Sequence, residues 1–144
     1  MQSISVILDT NCLVSALIFS RGKMTWLRLA WQSGIIKPLV CKATVRELLR
    51  VFHYPKFHLE EQDIELLLAD FLPWAEVIQL QENTKEIEKL RDKDDAVFLY
   101  LAQQTKAAYL ISGDRHLLEL RELFAELHIV SPSEFQRYIL EQSE

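Results

Sequence analysis

Four acidic residues in this chain stand where they could act together. Asp9 closes the apolar run Val6-Ile7-Leu8 and is followed by Thr10-Asn11. Glu47 lies early in a helical stretch after Leu39-Val40-Cys41, Asp95 opens another after a polar segment, and Asp114 follows Ala108-Tyr109-Leu110-Ile111-Ser112. Carboxylates gathered in one place repel one another and gain proton affinity unless a cation neutralises them. A set of oxygen ligands is what hard Mg²⁺ or Mn²⁺ prefers. One or two such ions can generate hydroxide, hold it in line with a phosphodiester and stabilise the leaving oxygen. No His/Cys cluster competes for that role. His53 and His58 flank Pro55, His128 precedes an apolar pair, and His116 lies two residues after Asp114, at a helix start from which it could contact substrate.

Each acid also has a purely structural reading. Thr44-Val45-Arg46-Glu47 matches a capping box, in which the glutamate returns a hydrogen bond to the cap residue, and Arg50 one turn later can pair with the same carboxylate. Asp9, Asp95 and Asp114 all sit where a carboxylate favours a helix N-terminus. Capping does not require all four to follow buried strands or to face one crevice, and that joint placement favours a site.

The elements that must position these acids alternate. Strands are expected at Ile4–Leu8, Pro38–Cys41, Ala75–Leu80, Ala108–Ser112 and Ile129-Val130. Helical stretches run to Ile18 and over Thr25–Gln32, Thr44–Phe52, Glu60–Leu72, Asp95–Gln104, Arg115–Leu127 and Ser133–Leu140. Trp26, Leu29 and Ala30 share one helix face by spacing, as do Ala96, Leu99 and Ala102. Gly34 ends one helix, Tyr54-Pro55 breaks another because the residue before proline is pushed out of the α region, and Pro73 stops a third. Strands separated by helices imply an α/β fold of three layers, α/β/α, with a mostly parallel sheet of about five strands. The carboxyl ends of such strands are where open sheets bind ligands. With no repeat or linker evident, residues 1–144 read as one domain.

Composition sets bounds on partners. The chain has 144 residues, 49% hydrophobic and 26% charged, which is ordinary for a globular domain with a real core. No apolar run approaches the roughly 20 residues of a membrane helix, and Met1-Gln2-Ser3 lacks the basic-then-apolar order of a signal peptide, so a cytoplasmic protein is expected. Cys12 and Cys41 have no CxxC spacing and read as buried free thiols. The net charge of −5 conceals an asymmetry: residues 1–58 carry eight Lys and Arg against two acids, residues 59–144 eight against nineteen. A basic face with Arg21, Lys23, Arg46 and Arg50 could track phosphates although the total is acidic. Trp26, Leu27, Trp31 and Leu66-Leu67-Leu68 offer more apolar surface than one helix face needs.

Together Asp9-Thr10-Asn11 after a strand, Glu47, Asp95-Ala96 with Ala102 seven residues on, and Ser112-Gly113-Asp114 after a late strand resemble the PIN domain over most of the chain. The stretches 9–16 and 113–118 look most like the branch that supplies toxins of prokaryotic toxin–antitoxin systems. The resemblance implies a metal-dependent ribonuclease acting on single-stranded or structured RNA. It implies a site of Asp9, Glu47, Asp95 and Asp114 holding Mg²⁺ or Mn²⁺, with Asn11 and Ser112 as supporting polar positions. Ser112 stands where many members have threonine, and Asp92 and Asp94 crowd the third acid; Asp95 is preferred because it directly precedes the apolar-periodic stretch. A small antitoxin protein and a homodimer are the partners implied.

Two other classes share parts of the pattern. A phosphatase of the haloacid dehalogenase type also begins with a strand-terminal aspartate, but its second aspartate falls on Asn11 here. A non-catalytic acidic-pocket or phosphoacceptor module needs a lysine after a late strand, and Ser112-Gly113-Asp114-Arg115 offers none.

Overall fold

The computed structural model describes residues 3–19, 22–80 and 93–142, apart from the side chains of 93–95 and 142. Among them five strands, β1 (Ile4–Leu8), β2 (Ile36–Val40), β3 (Glu76–Val77), β4 (Tyr109–Ile111) and β5 (Ile129–Val130), form one sheet in the order β3-β2-β1-β4-β5. Every pairing is parallel: Ile4 faces Ile36, Val6 faces Tyr109, Leu39 faces Glu76 and Leu110 faces Ile129. Seven helices connect and cover them: α1 (Thr10–Ile18), α2 (Thr25–Gln32), α3 (Lys42–Phe52), α4 (Glu61–Ala69), α5 (Lys93–Thr105), α6 (Arg115–Glu119) and α7 (Pro132–Gln142).

Successive side chains of a strand point to opposite faces, so a strand apolar at every position must be covered twice. In β1 Val6 and Leu8 enter one core with Leu13 and Leu17 of α1, Trp31 of α2, Phe52 of α3, Ile64 of α4 and Phe135 of α7. Ile7 enters a second core with Phe98, Leu99 and Leu101 of α5, Leu117 of α6 and Leu127. The three-layer parallel architecture expected from the alternation is the one observed.

Several local expectations change. The buried face of α2 is Leu27, Ala30 and Trp31, while Leu29 is exposed and Trp26 half-buried. The indole N–H of Trp31 donates to the Asp70 carbonyl at 2.9 Å, which fixes α2 against the end of α4 beside an Arg28–Asp70 ion pair. The core therefore absorbs Trp31 and Leu27, and of the leucine run only Leu66 is left largely exposed. Helix α3 begins at Lys42 rather than Thr44, with Cys41 as its cap. Thr44 is the third helical residue, and its hydroxyl accepts the Cys41 N–H at 2.9 Å. Glu47 is thereby excluded from the capping role read for it. Helix α4 stops at Ala69, before Pro73 can act, and that proline sits in a 3₁₀ turn, Leu72–Trp74. Helix α6 ends at Glu119. Beyond it, bonds such as Arg121 N–H to Leu118 carbonyl span three residues instead of four, and the chain continues as turns to Leu127. Strand β3 keeps two residues of the six expected: Glu76 and Val77 are in register with β2, and the pairing ends with the Ile78 N–H on the Val40 carbonyl at 2.7 Å. Gly34 does end α2, with a φ of 83° that a side-chain-bearing residue adopts at a cost.

The strand order places consecutive crossovers on one side through β3 and on the other from β4 onward. The reversal falls between β1 and β4, and a crevice opens there beyond the strand ends. Because Ile7 lies at the centre of the sheet and is fully buried, Ile7→Ala should lower unfolding free energy by about 2–5 kcal/mol through the cavity it leaves. Urea denaturation checks this, the midpoint shifting without a change of slope; a loss below about 1 kcal/mol would contradict the packing of the second core.

Candidate active site

The crevice at the reversal is built from the two strand ends. Backbone pairing continues past β1, the Asp9 N–H donating to the Ile111 carbonyl at 3.1 Å, so Asp9 and Ser112 leave neighbouring strands side by side. Asp9 caps α1: its Oδ1 accepts the Cys12 N–H at 2.8 Å. Its Oδ2 accepts the Ser112 hydroxyl in a short hydrogen bond. The Ser112 oxygen in turn accepts the Asp114 N–H at 2.9 Å, and Asp114 caps α6 through the His116 N–H at 2.9 Å. Asp9 and Ser112 are both buried, so this chain of bonds holds a carboxylate in an interior where an unpaired charge is costly. Burial, with the Asp9 charge beside it, pushes the Cys12 thiol far above its usual range, so Cys12 is an inert neutral group. Cys41 is likewise buried and unpaired.

Asp9, Thr10, Asn11, Glu47 and Asp114 line one cleft of about 260 Å³, and Val51, Tyr54, Lys56, Phe57 and Phe98 complete its walls. Three of the four acids singled out in the sequence therefore line the same cleft. The fourth, Asp95, stands in the first turn of α5; its side chain lies outside the described residues, as does that of Asp94. Asp92 and Arg21 also lie outside them. Lys23 is exposed in the turn before α2 and does not line the cleft. His116 is exposed on α6 and does not line it either.

Glu47 is held by Arg50, whose Nη2 lies 2.6 Å from Oε1 and whose Nε lies 3.0 Å from Oε2. Hydrogen bonding to Glu47 raises the proton affinity of a guanidinium that is never neutral in any case. Arg50 Nη1 also donates to the Tyr54 hydroxyl at 2.7 Å.

The donor set can be tested against a cation. Only oxygen ligands face the cleft, with no thiol or imidazole among the acids, which suits a hard divalent ion. Each carboxylate oxygen accepts more than one bond, so the caps and the Ser112 contact leave lone pairs on Asp9 and Asp114. The Thr10 hydroxyl, buried beside Asp9, has no hydrogen-bond partner among the described residues and can meet a ligand oxygen. Among the described residues, however, no three acids stand close enough to share one ion as they are. The donor types suit a divalent ion in chemistry, while in the described arrangement Glu47 is engaged by Arg50.

The sequence reading missed Tyr54, Lys56 and Phe57. A signal for the first was present: Glu47, Val51 and Tyr54 fall at i, i+4 and i+7, one stripe of α3 and its extension, and all three line the cleft.

A parallel α/β domain with a cleft at its topological reversal is a frame for ligand binding, and comparison with known proteins gives its family. The sequence model of the PIN domain matches residues 5–116, so the chain belongs to the PIN domain family. No curated protein matches it. Among solved structures, a chain of VapBC2 from Rickettsia felis, bound to a DNA fragment from their promoter, is similar with a TM-score of 0.63 and 16% identity, over 89% of this chain and 98% of that one. PAE2754 from Pyrobaculum aerophilum is similar with a TM-score of 0.55 and 13% identity, over 96% of each chain. At these identities the likeness is one of fold.

The Ser112 hydroxyl is the bridge between Asp9 and the Asp114 backbone. Ser112→Ala should therefore cost about 1–3 kcal/mol of stability by leaving the buried Asp9 carboxylate oxygen short of a donor and the Asp114 N–H short of an acceptor, whereas Ser112→Thr should cost much less. Chemical denaturation of both variants checks it, and equal losses would show that volume rather than the hydroxyl matters.

Proposed function

We propose that this chain is a metal-dependent endoribonuclease and the toxin of a toxin–antitoxin pair. The observation that carries the reading is the convergence of Asp9, Glu47 and Asp114 on one cleft in a chain of the PIN family, which is generally one of nucleases using divalent metals. In this reading Asp9, Glu47, Asp95 and Asp114 hold Mg²⁺ or Mn²⁺. An ion held there would supply Lewis acidity toward a water and toward the charge of the phosphodiester. The protein's own part is orientation: Ser112 and the Cys12 N–H fix both oxygens of Asp9, Asn11 faces the scissile group from the start of α1, and Phe98 and Val51 wall the cleft with apolar surface. His116, Arg21 and Lys23 are proposed as outer contacts to RNA.

The fold likeness to a VapBC2 chain supports a small antitoxin as partner; in this reading that partner would cover the acidic cleft with a cation of its own. Leu66 and Leu29, exposed on α4 and α2, supply apolar surface for a homodimer. Among the described residues no helix is long and apolar enough to cross a membrane, in keeping with a cytoplasmic place for one domain spanning 1–144. The phosphatase reading gains no residue from the structure, since Asn11 remains an amide; for the phosphoacceptor reading the group beside Asp9 at the β4 end is Ser112, and the lysine that lines the cleft, Lys56, comes from the turn after α3 and not from a late strand.

Asp9→Asn should abolish Mg²⁺-dependent RNA cleavage while keeping the fold, or even stabilising it without metal, since one charge leaves a repelling group. Asp95→Asn should do the same and Asp94→Asn should not. Cleavage by Asp9→Asn at saturating Mg²⁺ removes the assignment, and the reverse ranking of the other two moves the third acid to Asp94. Acetyl phosphate labelling of Asp9 without RNA cleavage would favour the phosphoacceptor class. Light scattering should report twice the 16.9 kDa chain mass at high concentration; a strict monomer rejects the homodimer.

A further inference from the structure

The rim of the cleft opposite the strand ends is aromatic and cationic. Helix α3 ends at Phe52, and Pro55 opens a 3₁₀ turn, Pro55–Phe57, closed by the Phe57 N–H on the Tyr54 carbonyl at 3.1 Å and the His58 N–H on the Pro55 carbonyl at 3.1 Å. The turn presents Tyr54 and Phe57 to the cleft, each half-buried against the first core. The Lys56 ammonium lies over both rings, 5.1 Å from the Phe57 centroid and 6.0 Å from that of Tyr54, and the Arg50 guanidinium lies 5.4 Å from the Tyr54 centroid. Lys56 makes no ion pair among the described residues, so its charge is available to a phosphate.

We propose that Tyr54 and Phe57, with Lys56, form a subsite that stacks one unpaired nucleobase of the RNA next to the phosphate held over the acids. The proposal rests on the nuclease reading above and adds to it where the substrate is gripped. Acids alone repel a polyanion; two rings that accept the π-face of any base, with a cation at the height of the backbone, supply binding on the other side of the cleft. A paired base cannot enter, because its faces are already stacked in the duplex. Base-tolerant recognition of an unpaired nucleotide follows, with Lys56 tracking the adjoining phosphate. The alternative is that the rings only cover the core and the Lys56 stem only covers the rings.

The test uses the full chain, Ca²⁺ in place of Mg²⁺ to keep RNA intact, a fluorescein-labelled single-stranded oligoribonucleotide and an abasic oligomer of equal length. Wild type should prefer the oligomer with bases. Tyr54→Leu and Phe57→Leu, which keep apolar volume without a ring, should each weaken its binding about tenfold and erase the preference. Tyr54→Phe, which loses the hydroxyl bond to Arg50 but keeps the ring, should weaken binding much less than Tyr54→Leu and keep the preference for bases. Lys56→Ala should lower the slope of log affinity against log salt by roughly 0.7 for both oligomers. A 4-thiouridine oligomer irradiated with wild-type protein should crosslink within residues 54–57, a readout that does not depend on the folding of any variant. Equal binding by wild type and both leucine variants, an effect of Tyr54→Phe as large as that of Tyr54→Leu, or crosslinks confined to other segments would overturn the subsite. Base-dependent binding and crosslinking without Mg²⁺-dependent cleavage would uphold the subsite and remove the nuclease reading. Cleavage with binding unaltered in the leucine variants would do the reverse.

Discussion

The pairing of β1 with β4 is the constraint on which this molecule turns. Strands from opposite ends of the first 111 residues lie in parallel register, Val6 against Tyr109 and Leu8 against Ile111. A slip of one residue would send every side chain to the other face, so the two cores lock the register. Once it is locked, Asp9 and Ser112 emerge as neighbours, and Ser112 is fixed a second time by its N–H on the Val130 carbonyl at 3.0 Å. The hydrogen bond from Ser112 to Asp9 joins residues 103 positions apart in sequence and is present only when the sheet has closed. Folding and assembly of the acidic cleft are thus one event.

The acids are balanced in different ways, and the difference matters for chemistry. Asp9 is buried and satisfied by fixed donors, a helix N-terminus and a hydroxyl, which stabilise its charge and cannot leave. Glu47 sits on α3 with a side chain about a fifth exposed, and it is satisfied by two hydrogen bonds from Arg50, a long side chain that is itself more than half exposed. The same guanidinium is tied to the rim of the cleft by its bond to the Tyr54 hydroxyl. In the metal-site reading proposed above, a divalent ion would have to displace this cation before Glu47 could serve as a ligand.

Strand β1, helix α2 with its Gly34 stop, the break at Pro55 and the buried stripe of α5 were all legible in the sequence, because each is written in local periodicity or in the backbone limits of glycine and proline. The convergence of Asp9, Glu47 and Asp114 was legible only as an expectation, from the rule that parallel strands share one ligand-binding edge. What was not legible depends on partners distant in sequence. The length of β3 is set by how much of β2 reaches the sheet edge, and the exposed side of α2 by where α4 ends, at Asp70. The start of α3 was misplaced for a chemical reason: cysteine is a poor cap in isolation, so Thr44 drew the boundary. In the fold Thr44 caps from inside the helix, its hydroxyl bonding back to Cys41.

That error bears on how an acid's role is judged. A carboxylate at a helix start has a sufficient structural explanation in its cap, and Asp9 and Asp114 do cap α1 and α6. Capping and ligation do not exclude each other, because a cap uses one lone pair of one oxygen and leaves others directed outward. A capping carboxylate is also held in one rotamer before any ligand arrives, which removes an ordering cost that a free surface acid would carry. Glu47 has no cap to explain it. It stands on the inner stripe of α3 with Val51 and Tyr54, facing two acids brought from 38 residues before it and 67 after it. Its carboxylate is balanced by the Arg50 guanidinium, and in the reading proposed above a divalent cation would take over that balancing role.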